Sequence, residues 1–434
     1  MGNGVQKPLS CYRALDHPIV QFLFYLVVFW IPLYRWRHLS ETYRFLKVDW
    51  LLVMALGLIL IPYFVAEKRL PARLKTNLAP LMLIFFVLNV VSSLLSPYPA
   101  AALNGLRILL YAFVFIVLAQ MLINRAGFVH ILPAVLCAAV TVNATLSVAG
   151  FYLQSEMFTL GVAIDQEKVV LRGRGATLGA NNAALMSVFI LPLLVHWIFY
   201  ARTRKRRIAA AVAIVVNLAG IVSTLARGGF LLLIFVSSLI LWEQRHRFQI
   251  RYLGLLVAGI GAFLLLGVAA IPESFFERQA TLAEGVDADY ATRRRSAYLK
   301  VGWQSFLKRP VLGAGTDTFK NIWQDSTTAR YFKQELRYAH NTYVEVAVGS
   351  GILGLIFFLW ILGRALRSYN RALVAFRRKN QKKMASIVSA YRLSFVGVLV
   401  YLLLLSAIEH KLLLLAIALS QVALREAPTE ELPR

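Results

Sequence analysis

"HNTYVEVAVGSGILGLIFFLWILGRALRSYNRALVAFRRKNQKK", residues 340–383, opens on a histidine and an asparagine, carries only Glu345 as a charge through 363, and ends in a basic tail. An apolar run of about 20 residues is long enough to cross a bilayer as a helix. From Arg364 to Lys383 there are eight Lys or Arg and no acid, the pattern of a cytoplasmic flank. The stretch therefore reads as a membrane span with its histidine facing outward and its cations inside.

The same pattern recurs along the chain. Of 434 residues, 59% are hydrophobic, and the mean hydropathy is +0.64, which excludes an ordinary soluble domain. Apolar segments are read at 19–34, 49–66, 77–95, 105–124, 128–150, 180–200, 207–225, 228–243, 252–271, 341–363, 386–406 and 411–424. They predict an all-α polytopic membrane protein of about twelve transmembrane helices in a single integral membrane domain, 1–434. One long outward loop, 272–339, is inserted between spans nine and ten.

The net charge of +26 follows topology. The loop "ARTRKRR", 201–207, has five basic residues and no acid. With six spans before it and ten before the Arg364–Lys383 tail, parity puts both on the cytoplasmic side, together with both termini. Anionic membrane lipids account for these clusters, and no nucleic-acid partner is expected. Cys11 and Cys137 offer no structural disulfide. The first apolar run lacks a small-residue cleavage site and reads as a retained span.

The outward face carries cations that the positive-inside rule does not explain. Loop 272–339 has eleven Lys or Arg against eight Asp or Glu, including Arg293-Arg294-Arg295. Leu299, Trp303 and Phe306 follow at helical spacing. They predict an amphipathic helix, ended by Pro310, on the bilayer surface or over the mouth of the bundle, with Arg295 near the lipid–water boundary. A shorter outward segment ends in "VVLRGRGATLGANNAA", 169–184, where Arg172 and Arg174 precede a helix with Asn181 or Asn182 as the expected N-cap. A third, "STLARGGFLLL", 223–233, sets Arg227 at a turn before two glycines. Taken singly, Arg227 reads equally as a snorkelling side chain, and Arg172 with Arg174 as solvated loop cations. Facing one surface, they describe an anion site.

His340 is expected on one helix face with Val344, Ala347 and Gly351, either as a cap or as a base. A neutral imidazole takes a proton from a hydroxyl where arginine and lysine do not. Asn341 either orients a sugar or caps the helix. Glu345, inside an apolar span, is paired or functional. Asp287-Ala288-Asp289 has a metal-binding spacing, but beside three arginines it reads as the start of a helix. Glu409-His410-Lys411 reads as a solvated turn. HExxH, CxxC, serine-elbow and P-loop motifs are absent, so protease, metal-hydrolase and nucleotide-hydrolase readings have no support.

"RGGFL" is R-x3-L from Arg227, and "HNTYVEVAVGSG" is H-x10-G from His340 to Gly351. With "RGRGATLGANNAA" and "RSAYLKVGWQSFLKRPVLGAGTDTF", which contains a PxxGxG stretch, these motifs resemble the bacterial O-antigen ligases. That group also includes O-antigen polymerases and protein O-oligosaccharyltransferases. The resemblance implies glycosyl transfer from an undecaprenyl pyrophosphate-linked O-antigen to the lipid A core oligosaccharide. The reaction would occur at the periplasmic face of the cell inner membrane, without metal or other cofactor. It further implies that Arg172, Arg174, Arg227 and Arg295 bind the diphosphate, that His340 is the general base of an inverting displacement, and that Asn341 contacts sugar. The alternatives are a polymerase, a protein O-oligosaccharyltransferase and, in a different class, a lipid-linked glycan transporter.

Overall fold

The computed structural model describes residues 15–33, 53–61, 78–153, 162–165, 168–177, 179–245, 273–280, 290–332, 334–406 and 408–428. The protein is an all-α polytopic membrane protein apart from one short hairpin. Seven of its described helices are long and apolar enough to cross a membrane. In chain order the elements are α1 (Pro18–Trp30), α2 (Ala79–Leu94), α3 (Pro99–Leu122) and α4 (Leu132–Tyr152), the last preceded by a π-turn over Gly127–Ile131. The hairpin β1 (Val162–Asp165) and β2 (Lys168–Leu171) follows, paired antiparallel with Val162 opposite Leu171. Next come α5 (Ala180–Tyr200), α6 (Arg204–Ser223), α7 (Arg227–Gln244), α8 (Glu273–Ala280), α9 (Tyr290–Lys308) and α10 (Phe319–Asp325). The chain closes with α11 (Thr342–Arg378), α12 (Lys382–Tyr401) and α13 (Lys411–Glu426). The span expected at 252–271 and the Asp287/Asp289 pair lie outside the described residues, and 49–66 is described only as a helix over 53–61.

Local chemistry sets the helix ends. Proline stands in the first turn of α1, α2, α3 and α4, where its missing N–H costs nothing and its fixed φ suits a helix. Thr203 caps α6 through a bond from the Arg206 N–H, and Asn341 caps α11 by accepting from the Val344 N–H at 3.1 Å. The cap expected at Asn181 or Asn182 is instead Gly179, with both asparagines inside the first turn of α5. α11 also runs well beyond 363: Ala365, Tyr369, Ala372 and Phe376 stay buried while arginines occupy the other side, an amphipathic continuation past the bilayer.

α5 packs against α4, α6, α7 and α12, and α11 packs against α2, α9, α12 and α13. Leu185, Phe189, Tyr369, Tyr391, Phe395 and Leu415 share the resulting apolar core. A second cluster of Tyr298, Val301, Phe319, Trp323 and Val348 joins α9 and α10 to the N-terminal part of α11. On α9 the buried side is not the Leu299–Trp303–Phe306 stripe. Tyr298 and Val301 are buried, while Leu299, Trp303 and Leu307 are exposed. The helix uses one face over the bundle and leaves its aromatic face open, because Gly302 permits a close approach to Val344 that a larger side chain would block.

α11 is broken at Gly351, whose φ is 65° and ψ −166°. An interrupted helix leaves backbone groups that must find partners inside a membrane. The stretch after α9 supplies them: Ala314 N–H donates to the Val348 carbonyl at 2.8 Å, Gly315 N–H to Gly349 at 2.9 Å, and Ile352 N–H to Pro310 at 2.8 Å. From α2, Ser92 Oγ donates to the Gly349 carbonyl at 2.6 Å, and from the turn after it Ser96 Oγ donates to the Ala314 carbonyl at 2.5 Å. A Cβ on Gly351 would run into the Val311 carbonyl. The PxxGxG stretch and the end of H-x10-G are therefore two halves of one backbone junction. Gly351 packs against this loop.

Candidate functional site

The first residue of α11 is tied to the end of α12. Thr342 N–H donates to the Leu402 carbonyl at 2.8 Å, and its hydroxyl donates to Leu405 at 2.6 Å. Just ahead of it, His340 stands outside the helix with φ of 53°, so it does not share the helix face expected for it. The left-handed turn aims the imidazole toward α9, where its ring lies 5.8 Å from that of Tyr298 at 32°. Glu345 Oε1 accepts the Ala339 N–H at 2.8 Å. That carboxylate, one turn into α11, thus holds the strained backbone that presents the histidine.

His340 Nδ1 is shielded from solvent and has no hydrogen-bond partner among the described residues. Burial first, then the cations Arg295, Arg294 and Arg337, push its pKa down to about 4. Both causes disfavour a charged ring. At neutral pH the imidazole is an unprotonated base facing a positive field.

Arg172 is tied to the turn that leads into Arg227. The Arg172 Nε–H donates to the Thr224 carbonyl at 2.8 Å, and the Gly173 N–H donates to Ser223 at 2.8 Å. Leu225 then turns with φ of 49°, and Arg227 begins α7. Gly228, next to it, lies against Tyr401 and Leu404. Tyr401, the last residue of α12, donates its hydroxyl to the Asn181 carbonyl at 2.8 Å. Arg172 and Arg295 both act electrostatically on that hydroxyl. Tyr401 thus lies against the start of α7, within the electrostatic reach of both Arg172 and Arg295.

Arg174 lies two residues beyond Arg172, and its carbonyl accepts from the Thr177 N–H and hydroxyl. This loop is plugged into the bundle by the bond from Ala176 N–H to Asn143 Oδ1 at 2.8 Å. Asn341 is engaged as the α11 cap.

Tyr401, Tyr298 and Arg337 were not singled out by sequence, and Arg294 was named only as part of the run 293–295. Tyr401 looks like any aromatic at a span end. The four-residue spacing of Arg294 and Tyr298 would have put both on one helix face, the one signal available. Among the described residues, no group of three or more His, Cys, Asp or Glu could hold a metal ion. What the site offers is cationic side chains, tyrosine hydroxyls and one neutral imidazole, a set suited to an anionic leaving group and a proton acceptor.

Residues 212–359 match the family model described as O-antigen ligase, which supports placement in the O-antigen ligase/polymerase superfamily. The matched stretch contains Arg227, Arg295, His340 and Gly351, while Arg172 and Arg174 precede it. No curated protein matches the chain.

Proposed function

We propose that this multi-pass membrane protein, of the O-antigen ligase/polymerase type, transfers O-antigen from undecaprenyl pyrophosphate to a hydroxyl of the lipid A core oligosaccharide. The reaction takes place at the periplasmic face of the inner membrane. The observation carrying this reading is His340, held outside α11 in a left-handed turn, its Nδ1 shielded and unpartnered among the described residues, within the electrostatic reach of Arg295.

The acceptor hydroxyl oxygen attacks the anomeric carbon of the donor sugar as the bond from that carbon to the diphosphate oxygen breaks. His340 takes the hydroxyl proton, and undecaprenyl pyrophosphate leaves with the bonding electrons. One displacement inverts the linkage. Arg172, Arg174, Arg227 and Arg295 stabilise the charge growing on the diphosphate, by charge-assisted hydrogen bonds that strengthen as the bond breaks. Asn341, with its Oδ1 committed to the cap, has its amide N–H groups left for sugar. The lipid tails of both substrates stay in the bilayer, so the reacting groups meet at the membrane surface, the depth at which His340 opens α11.

Purified protein in liposomes, given donor and acceptor, is expected to form ligated product. His340→Ala is expected to lower the rate by about 10²–10⁴-fold, the range for loss of a general base, with donor binding retained. Chain lengthening on the carrier without ligation would replace the ligase with a polymerase. A native rate from His340→Ala would remove the base.

A further inference from the structure

At the far end of α11 from His340, about 55 Å along a 37-residue helix at 1.5 Å per residue, a cavity of about 290 Å³ opens between the ends of α5, α7, α11 and α12. Its wall includes Tyr200, Glu243, Gln244, Arg377, Lys382 and Ser389. Glu243 accepts from both Arg377 and Arg392, the latter at 2.8 Å. Three cations, Arg377, Arg392 and Lys382, stand against that one carboxylate, leaving two positive charges in excess.

Ser389 is only 4% exposed and lines the cavity. Its hydroxyl has no partner among the described residues; neither has the Arg392 Nε–H or the Gln244 side-chain oxygen. Shielded polar groups in folded proteins are normally satisfied; Ser389 and Gln244 line a space large enough for a guest, and Arg392 stands behind its wall, bonded to the lining Glu243. Two unpaired donors and excess positive charge call for an anion with several acceptor oxygens. On the outer side of the same helix ends, Phe199 is 36% exposed, Leu241 47% and Trp242 66%. That apolar skirt is suited to acyl chains, and basic pockets between helices on this side of a membrane suit lipid head groups.

We propose that this cavity seats the phosphate of an anionic phospholipid from the leaflet opposite His340. The site shares no residue with the glycan-transfer site and is read out by lipid binding rather than by transfer.

The test is native mass spectrometry of the full-length protein in detergent, mixed in turn with phosphatidylglycerol, phosphatidylethanolamine and inorganic phosphate. Phosphatidylglycerol is expected to stay bound where phosphatidylethanolamine is lost. Lys382→Glu, at an exposed position, and Ser389→Ala, a loss of one oxygen, should each weaken retention by about tenfold or more, a difference of one decade in Kd. Equal retention by native protein and both variants would overturn the assignment. Displacement of the lipid by millimolar phosphate would overturn the lipid and leave a free anion as the ligand.

Discussion

His340 combines a depressed pKa of about 4 with an ordinary value of about 6.5 in the unfolded chain. Between these values the unfolded chain binds the extra proton, so stability rises with pH. The contribution is complete above about 6.5 and is lost as pH falls toward about 4. Melting temperature in detergent should therefore fall more for the native protein than for His340→Gln between these limits. The kinetic consequence differs between enzyme forms. For kcat/KM, which reports the free enzyme, the acid limb should lie near about 4. For kcat it should move to higher pH, because a bound diphosphate offsets the field of Arg295, Arg294 and Arg337 and raises the basicity of the imidazole. A pH–rate series on one preparation measures both limbs, and coincident limbs would argue against donor contact with these arginines.

Glu345 acts at one remove, through the Ala339 N–H it accepts. Loss of that acceptor frees the left-handed turn at His340. Glu345→Ala is expected to lower kcat with little change in the KM for donor, while Glu345→Gln, whose amide oxygen still accepts, restores most of it. Equal losses in both variants would point to the charge rather than the bond.

At the scale of elements, the junction of α11 with the 310–315 loop carries the site. Gly313, Gly315 and Gly351 all have positive φ, and at Gly351 a side chain meets backbone. Gly351→Ala should cost about 1–3 kcal/mol from the backbone conformation alone, with the collision adding to it. A thermal shift assay on purified protein reads the loss. Gly363→Ala, where a Cβ meets nothing, is the control and should be neutral or slightly stabilising through helix propensity. A variant at Gly351 with native stability would show that the break in α11 is not maintained by the loop.

Across the whole molecule, the proposed glycan site and the basic end of α11 lie at opposite ends of that helix and are expected on opposite faces of the membrane. Gln304 on α9 and Lys379 after α11 are both exposed. In a background lacking Cys11 and Cys137, a membrane-impermeant maleimide should label Gln304→Cys in cells with a permeabilised outer membrane. Lys379→Cys should label only after lysis. Reversed labelling would invert the topology and move the chemistry to the cytoplasm.

The sequence by itself determined the membrane class, the positions of the described spans and the candidate cations and base, because bilayer thickness, loop charge and helix periodicity are local properties read along one segment at a time. It also marked the glycines at 313, 315 and 351 without revealing that they form one junction. Only the tertiary structure decided that His340 leaves the helix in a left-handed turn, that Tyr401 bonds the Asn181 carbonyl beside Gly228, and that α9 buries Tyr298 while exposing Trp303. These features rest on contacts between residues far apart in the chain, such as Tyr298 against His340 and Tyr401 against the start of α5. A pattern along one helix carries no record of what that helix will touch.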